Sequence, residues 1–373
     1  MKLGLGLYRH MLNDDYYSFA VQAGCTHVIV HLVDYFKQGE ANPHNNQPTG
    51  DKDKPWGIAG DPNHLWTADE LVILRKEIEA AGLTLEGIEN LDPAHWHDIL
   101  LDGPKRDLQI RNVHTILRAM GEAGIGVLGY NFSIAGVCGR VRGPYARGGA
   151  VSVAMTGMVD TPIPNGTVWN MTYDQGASSG FLPAISHEEL WNRLQRFLEE
   201  VLPVAEQAGV RMAAHPDDPP MPTMHQQPRL VYQPAMYQRL IDVSRSPSNM
   251  LEFCLGTLAE MTDGDLYSTV EQYSSQQRIA YIHFRNVKGK VPNYHETFID
   301  DGDIDMLRVL SILYKNRFDG VLIPDHTPQM TCAAPWHAGM AHTIGFMRAA
   351  ISALERGFVP ASPKASQEIA ARN

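Results

Sequence analysis

The sequence predicts an α/β fold, a (β/α)8 barrel of the TIM type with long insertions in its βα loops. Short apolar runs rich in β-branched residues recur along the chain, and longer stretches of helical periodicity separate them. About eight such runs occur, which is the number that closes a barrel. A length of 373 residues fits one barrel with insertions. We therefore assign residues 1–357 to one barrel domain and residues 358–373 to a polar C-terminal tail.

The helices between the strands have clear start and stop signals in two places. Thr67 and Ser186 each stand before acidic residues, as N-cap residues do, and Gly82 and Gly209 follow the last helical turns. Two further helices are predicted after the seventh and eighth strands. The predicted strands are Leu3–Tyr8, His27–His31, Thr84–Glu89, Val127–Tyr130, Arg211–His215, Met250–Cys254, Ile279–Phe284 and Val321–Asp325.

Two stretches interrupt this alternation. Residues 37–64 are rich in Asn, Pro, Gly and Asp, and residues 136–183 are rich in Gly, Thr, Ser and Val. Both follow a predicted strand, so both are expected at the C-terminal face of the barrel. Long βα loops at that face usually form lids and substrate walls.

The overall composition excludes several classes of protein. A formal net charge of −11 argues against nucleic-acid binding, which needs clustered positive charge. The sequence contains no secretory signal and no apolar run of the roughly 18 residues that a membrane helix needs. The four cysteines lack CxxC spacing, which indicates reduced thiols and a cytoplasmic protein. They are Cys25, Cys138, Cys254 and Cys332.

Metal-capable side chains lie at the ends of four successive predicted strands, the fifth to the eighth. They are His215, Cys254, His283 and Asp325. Because the carboxyl ends of barrel strands form one reactive face, these side chains are expected to converge. Two imidazoles, one thiolate and one carboxylate suit several first-row divalent metals. Each residue alone is more often structural, so the joint pattern is what predicts a metal site.

Other polar residues are expected at the same face. Arg285, two positions after His283, could pair bidentately with a substrate carboxylate, although a surface arginine capping a helix would have the same sequence context. Glu89 and Asn90 lie at the end of the third strand and Asn131 follows the fourth, and all three are candidates for binding sugar hydroxyls. Two acidic residues in the HPDDPP loop could hold a ligand histidine or form a solvated turn. These are Asp217 and Asp218.

Several of these segments, in this order and spacing, resemble the mannonate dehydratase family. They are RMAAHPDDPP, the Cys254–Thr257 turn, HFRNV, HETFIDDGDIDM and PDHTPQM, and the resemblance extends over the barrel, GYNF and the insertion that follows it. The resemblance implies a TIM barrel related to the xylose-isomerase-like group. It also implies loss of water from D-mannonate to give 2-keto-3-deoxy-D-gluconate, usually with Mn²⁺. The donor set leaves Fe²⁺, Co²⁺ and Zn²⁺ open.

The resemblance also implies roles for single residues. The family's metal ligands fall on the four residues at the strand ends, and its acid–base histidine falls on His326, as either the acid or the base. Arg285 would fix the substrate anion. The bound partner would be a small sugar acid, and family members often form homo-oligomers.

The chain departs from the family pattern in two places. Thr327 follows the PDH motif where the family usually has glycine, and no tyrosine occurs after Tyr314, where the family has a functional one. Trp336 or His337 occupies that region, where His337 could transfer a proton and Trp336 could shape the pocket. These differences leave open a related aldonate dehydratase with another substrate.

Two other classes of function stay open. A sugar isomerase or epimerase of the xylose-isomerase-like group would use a similar barrel and metal, but an aldose needs no carboxylate clamp such as Arg285. A non-catalytic sensor would bind a sugar acid without turning it over. Neither nucleic acid nor a membrane is expected as a partner.

Overall fold

Eight parallel strands close into a barrel in the computed structural model, which describes residues 1–36 and 56–358. Each strand pairs with its neighbours in chain order, and the eighth returns to the first. The predicted (β/α)8 barrel is therefore confirmed. The barrel strands are β1 (Lys2–Tyr8), β2 (His27–His31), β3 (Thr84–Glu89), β4 (Val127–Tyr130), β5 (Arg211–Ala214), β6 (Asn249–Cys254), β7 (Ile279–His283) and β8 (Val321–Ile323).

Helices pack around this barrel in the intervals between strands. Thr67 and Ser186 both form capping boxes, with Glu70 and Glu189, so both predicted helix starts are confirmed. The longest helix continues through Pro203. The α-helices are Asp14–Ala23, Ala68–Ala80, His97–Leu101, Arg106–Glu122, His187–Ala208, Ala235–Val243, Leu255–Glu260, Leu266–Ser275, Met306–Lys315 and Pro335–Glu355, and the 3-10 turns are Arg9–Met11, Pro93–His95 and Arg147–Gly149.

Short strands outside the barrel cover one of its ends. Two of them from the second insertion join a hairpin that follows β7 in a four-stranded sheet, and two more form a three-stranded sheet with Gly57–Ile58 from the first insertion. Residues 37–55 of the first predicted insertion and 359–373 of the predicted tail lie outside the described residues. The short strands are Gly57–Ile58, Val141–Ala146, Ala150–Thr156, Thr167–Val168, Met171–Thr172, Thr223–Met224, Gln227–Pro228, Asn286–Lys290 and Asn293–Thr297.

A buried apolar cluster fills the interior of the barrel below its C-terminal face. Its side chains come from six of the eight strands, as expected when alternate strand residues point inward. The members are Ile29, Val127, Ala213, Met250, Ala280, Tyr281, Val321 and Ile323. Within residues 1–36 and 56–358, none of the helices has the length and apolar character needed to cross a membrane.

Candidate active site

A pocket of about 510 Å³ opens at the carboxyl ends of the barrel strands. Strand ends, the second insertion and Trp56 of the first insertion all contribute to its wall. The expectation that both insertions lie at this face agrees with the residues that line the pocket. They are Tyr8, His31, Tyr35, Trp56, Glu89, Asn90, Asn131, Val137, Arg140, Trp169, His215, Asp218, His283, Asp325 and His326.

Three of the four predicted ligands lie together beside this pocket, where His215 and His283 line the wall and Cys254 is buried behind it. Cys254 pairs in register with His283 on the neighbouring strand, and His215 follows the end of β5 directly. The ligand-type atoms of these three residues all lie within 4.8 Å of one another. Asp325 adds a carboxylate, because its Oδ2 lies 3.3 Å from Nδ1 of His283. The structure thus brings all four predicted ligands into one cluster.

The two histidines of the cluster contact the protein through different ring nitrogens, His215 through Nδ1 and His283 through Nε2. Nδ1 of His215 lies 2.6 Å from the Pro216 carbonyl oxygen and donates to it, which leaves the Nε2 lone pair for an ion. Neither acidic residue of the HPDDPP loop holds His215. Asp217 instead accepts from backbone amides and pairs with Arg229, so its role is to fold the loop.

The positive groups around Cys254 favour ionisation of its thiol. Burial would raise the pKa of this thiol, but Arg285, His215 and His283 lower it well below its ordinary value. Sγ also accepts from the backbone N–H of Thr257 in the first turn of the following helix, at 3.5 Å. Helix N-termini and neighbouring cations favour a thiolate, the form that binds metals. The imidazole, thiolate and carboxylate donors therefore fit a divalent first-row ion.

Asp325 has an unusual backbone conformation for an aspartate. Its φ of 59° lies in the left-handed region, which non-glycine residues adopt at a cost and mainly at functional sites. Burial would raise the pKa of its carboxyl group, but His283, His326 and Arg285 hold that pKa well below its ordinary value. Asp325 is therefore ionised beside the cluster, as a ligand must be.

His326 lies beside Asp325 on the pocket wall and forms a pair with a buried carboxylate. Nδ1 of His326 is 3.2 Å from Oε1 of Glu296, whose side chain belongs to the hairpin after β7 and is buried. Burial would raise the pKa of Glu296, but His326, Arg285 and Arg140 lower it. The ionised carboxylate orients the imidazole and leaves Nε2, 3.3 Å from Oδ1 of Asp325, on the opposite side of the ring.

Arg285 lies behind the pocket wall, where its guanidinium already binds carboxylates. Its Nη1 donates to Glu260 at 2.9 Å and its Nη2 to Asp218 at 2.8 Å, while Nε lies 3.3 Å from Asp325. Only 2% of Arg285 is exposed, and it does not line the pocket. This placement differs from the expected substrate clamp, because the protein's own carboxylates occupy the guanidinium.

Arg140 is the arginine that lines the pocket. It comes from the second insertion, and its Nη1 lies 3.5 Å from Glu296 and 3.7 Å from Asp218. Burial acts against its charge, but Asp218, Tyr294 and Glu296 raise its pKa above the ordinary value. A permanently charged guanidinium therefore borders the space beside His326.

Glu89 and Asn131 both line the pocket, as expected. Oε2 of Glu89 lies 3.1 Å from Nε2 of His283, so this carboxylate also contacts the ligand cluster. Asn131 donates to the Pro216 carbonyl oxygen at 3.1 Å and accepts from Nε1 of Trp169 at 3.2 Å. The amide thereby joins the loop after β5 to the second insertion.

Trp336 and His337 do not line the main pocket. Trp336 borders a smaller cavity of about 350 Å³ that shares Asp325 and His326 with it. The His337 ring stacks on Tyr16 with ring centroids 5.3 Å apart and lines neither cavity. The structure brings Trp336 near His326 but leaves His337 against the first helix.

The pocket also contains residues that the sequence did not single out. Tyr8 and His31 end the first two strands, and their position at strand ends is a signal that could have identified them. Tyr35 and Trp56 pack edge to face at 5.7 Å, and Trp169 lies 6.0 Å from each. Trp56 and Trp169 come from the two insertions, Tyr35 lies just before the first, and the three side chains form one wall of the pocket.

The closed barrel and a pocket next to a cluster of metal-capable side chains are typical of a (β/α)8-barrel enzyme. A profile of the family described as D-mannonate dehydratase (UxuA) matches residues 45–147 and 180–355. Mannonate dehydratase 2 of Halalkalibacterium halodurans is 32% identical over 275 residues, which cover 70% of this chain and 79% of the relative. The mannonate dehydratase of Streptococcus equi subsp. zooepidemicus is 33% identical over 274 residues, covering 70% and 74%. The chain belongs to the mannonate dehydratase family, a family of hydro-lyases, as predicted.

Solved structures agree with this assignment. The crystal structure of mannonate dehydratase from Streptococcus suis serotype 2 matches with a TM-score of 0.74 and 26% identity, covering 97% of this chain and 96% of that one. A xylose isomerase domain protein from Planctomyces limnophilus matches with a TM-score of 0.54 and 13% identity, covering 94% and 96%, and shows the fold alone. Residues 148–179 of the second insertion lie between the two segments that the family profile matches.

We expect metal binding to release protons from the metal-free cluster. Burial would lower the pKa of His215, but Glu252 and Cys254 raise it to about 9, so this imidazole is protonated at neutral pH. Burial would also lower the pKa of His283, but Asp325, Glu89 and Glu252 raise it well above its ordinary value. A metal must displace a proton from each ring, so its affinity should increase as pH rises through about 9. Calorimetric titration in two buffers with different ionisation heats counts the protons released.

The control for this measurement is His27→Asn, at the opposite end of the barrel, which should release the same number of protons. Metal binding without proton release at neutral pH would contradict the charge state inferred for His215.

Proposed function

We propose that this protein is a metal-dependent dehydratase that converts D-mannonate to 2-keto-3-deoxy-D-gluconate. The observation that carries the proposal is that the cluster of His215, Cys254, His283 and Asp325 converges with His326 beside one pocket. The mannonate dehydratases that are 32% and 33% identical to the chain support the choice of substrate.

The four clustered side chains would hold the ion through two imidazoles, one thiolate and one carboxylate. A bound divalent ion supplies Lewis acidity, which stabilises negative charge that develops on a substrate carboxylate when the neighbouring carbon loses its proton. The ionised forms of Cys254 and Asp325 offset the positive charge of such an ion in the buried cluster.

Loss of water from an aldonate breaks the C2–H bond and the C3–O bond and forms a C2=C3 double bond. The resulting enol becomes the 2-keto acid when C3 takes up a proton. His326 is the side chain placed to exchange one of these protons at Nε2, because Glu296 binds its Nδ1.

The substrate carboxylate needs a cation that faces the pocket, and we assign this role to Arg140 rather than Arg285. Arg140 lines the pocket, whereas Arg285 is bound on several sides by carboxylates of the protein. A guanidinium binds a carboxylate through two parallel hydrogen bonds and so fixes its orientation. Arg285 would then act indirectly, by holding Asp325 and lowering the pKa of Cys254.

The rest of the pocket suits a polyol chain. Glu89 and Asn131 offer oxygen and nitrogen atoms for hydroxyl groups, and Asn90 lines the same side. The aromatic wall of Tyr35, Trp56 and Trp169 presents apolar ring faces, against which the C–H groups of a sugar acid can pack while water is excluded.

The test of this proposal is turnover by purified, Mn²⁺-reconstituted protein on a panel of hexonates and pentonates. The readout is formation of a 2-keto-3-deoxy acid, with chelator-treated protein as the control. Product from D-mannonate that disappears after chelation supports the proposal. Product from another acid alone would show the same chemistry on a different substrate.

Free aldoses and ketoses form a second arm of the same panel. Interconversion of these sugars without dehydration of any acid would move the function to an isomerase or epimerase. Binding of a sugar acid without turnover, measured by calorimetry, would instead indicate a sensor. Either result would overturn the proposed function.

Replacing Arg140 with glutamine should lower kcat/KM for the sugar acid by about 10–100-fold, because a hydrogen bond to a charged group contributes ~1.5–3 kcal/mol. Lysine at this position should restore only part of the loss, since it cannot form the bidentate pair. Steady-state kinetics on the identified substrate measures both effects.

The matched control is Arg147→Gln, which removes an exposed arginine paired with Asp300. The contrary result would be unchanged kinetics in Arg140→Gln together with a raised KM in a folded Arg285→Gln enzyme. That result would assign binding of the substrate carboxylate to Arg285.

We further propose Mn²⁺ as the native ion and the cytoplasm as the compartment, with Fe²⁺, Co²⁺ and Zn²⁺ as competing ions. A thiolate ligand favours a reducing compartment, and the four cysteines are free.

We also propose a homo-oligomer. Its interface would bury exposed apolar side chains of the second insertion such as Met158 and Phe181, each 59% exposed. Metal analysis of protein from its native source and sedimentation equilibrium test these points.

A further inference from the structure

Glu252 is a carboxylate in the middle of the barrel that the proposed reaction does not use. It precedes Cys254 by two residues on β6, so both side chains point to the same face of the strand. Its exposure is 0%, and it does not line the pocket. Barrel interiors are normally filled by branched apolar residues. A carboxylate in this position is unfavourable unless it has partners, so its neighbours are informative.

The neighbours of Glu252 are the two histidines of the ligand cluster. Its Oε1 lies 3.0 Å from Nε2 of His283 and 3.9 Å from Nε2 of His215. Oε2 of Glu89 lies 3.1 Å from the same His283 nitrogen. Oxygens of two carboxylates therefore lie next to one ring nitrogen, Nε2, while Nδ1 of the same ring is 3.3 Å from Asp325.

The backbone of β4 leaves room for this arrangement. A Cβ atom at Gly129 would lie 2.7 Å from Oε2 of Glu252 and 2.2 Å from the Tyr281 hydroxyl. Any residue other than glycine would displace these groups. The glycine of the GYNF motif is therefore explained by the tyrosine hydroxyl and the carboxylate that it accommodates.

We propose that Glu252 is a positioning residue that, together with Glu89, accepts the Nε2–H of His283 and so presents Nδ1 to the metal. A neutral imidazole carries one N–H, and binding that hydrogen at Nε2 leaves the lone pair on Nδ1, next to Asp325. Carboxylates that hold a ligand histidine in this way orient the ring and strengthen its donation to the ion. The inference rests on the metal site proposed above.

A different use of the same atoms would have a different outcome. Glu89, Glu252 and His283 also place one ligand-type atom each within 4.8 Å of one another. If these residues bound an ion directly, the protein would hold two ions for each chain. Stoichiometry therefore separates a positioning residue from a ligand.

The experiment compares Glu252→Gln with Glu86→Gln. Glu86 is a carboxylate on β3 that binds Lys2 and Arg211 at the other end of the barrel, so it is the matched control. Metal affinity is measured by competition of Mn²⁺ and Zn²⁺ with a chromophoric chelator, and metal content by mass spectrometry. We expect about 10–100-fold weaker binding in Glu252→Gln at one ion for each chain, and no change in Glu86→Gln.

Unchanged affinity in a folded Glu252→Gln protein would overturn the proposal. Two ions in the natural protein, with one lost in the variant, would also overturn it and make Glu252 a ligand. If the dehydratase panel fails while the affinity falls as expected, the proposed function is wrong and the positioning role stands.

A measurement on the natural protein covers the case in which the variant does not fold. Histidines labelled with ¹⁵N and loaded with ¹¹³Cd²⁺ show metal–nitrogen coupling only at the bound ring nitrogen. We expect one coupling through Nε2, from His215, and one through Nδ1, from His283. Two couplings through Nε2 would refute the assignment.

Discussion

Replacing Cys254 with alanine is expected to remove most of the bound metal and to lower turnover by more than about 100-fold. Loss of a residue that merely hydrogen-bonds a metal ligand costs ~10–100-fold, and loss of the ligand itself should cost more. The thiolate also lies within 4.8 Å of the ligand-type atoms of both histidines, so its removal takes away negative charge that favours binding of a cation there. Metal analysis and the dehydratase assay on the same preparation measure the two effects together.

Cys25→Ala is the matched control for this substitution. Cys25 is buried as well, but burial raises the pKa of its thiol to about 12, so it stays protonated and inert. This variant should keep full metal content and activity. Retention of metal and activity by Cys254→Ala would remove the central element of the proposed site.

Replacing His326 with asparagine is expected to leave the metal in place while turnover falls by about 10²–10⁴-fold, the usual contribution of one acid–base group. Asparagine has a similar size and can still donate to Glu296, but it cannot exchange a proton. Metal affinity should be close to that of the natural protein, because His326 is adjacent to the ligand set and not part of it. The contrast with Cys254→Ala distinguishes proton transfer from metal binding.

Two further variants complete the test of His326. His114 lies in the outer layer of helices, where its Nε2 contacts the Glu200 carbonyl oxygen. His114→Asn should therefore leave turnover and metal content unchanged. His337→Asn tests whether proton transfer has passed to the region that lacks the family tyrosine. A large loss of activity in His337→Asn with unchanged turnover in His326→Asn would assign the acid–base role to His337.

The barrel was predictable because each of its strands is a local apolar run. The eight observed strands begin and end within two residues of the predicted ones. The closed barrel topology predicted that the strand ends converge. The register of β6 and β7 then places Cys254 opposite His283. The family motifs then added His326, which no pattern of periodicity distinguishes from a structural histidine.

The identity of the pocket-facing arginine could not be predicted, because it depends on contacts between distant segments. Arg285 follows a strand end and would be expected at the pocket. Instead Glu260 and Asp218, from two other segments, bind it behind the wall. Arg140 reaches the pocket only because the second insertion folds back over the barrel. Glu296 belongs to the HETFIDDGDIDM motif. Its contact with His326 was not predictable, because it depends on how the hairpin after β7 folds against the end of β8.

The origin of the aromatic wall has a consequence for how this enzyme changes over evolutionary time. Trp169 lies within residues 148–179, the segment that the family profile leaves unmatched, whereas the ion-binding side chains all lie within matched segments. One tryptophan of this wall is thus encoded outside the matched segments, whereas Arg140, Asn131 and the ligand cluster lie inside them. A change confined to residues 148–179 could therefore alter the aromatic wall of the pocket and leave the ion-binding side chains as they are.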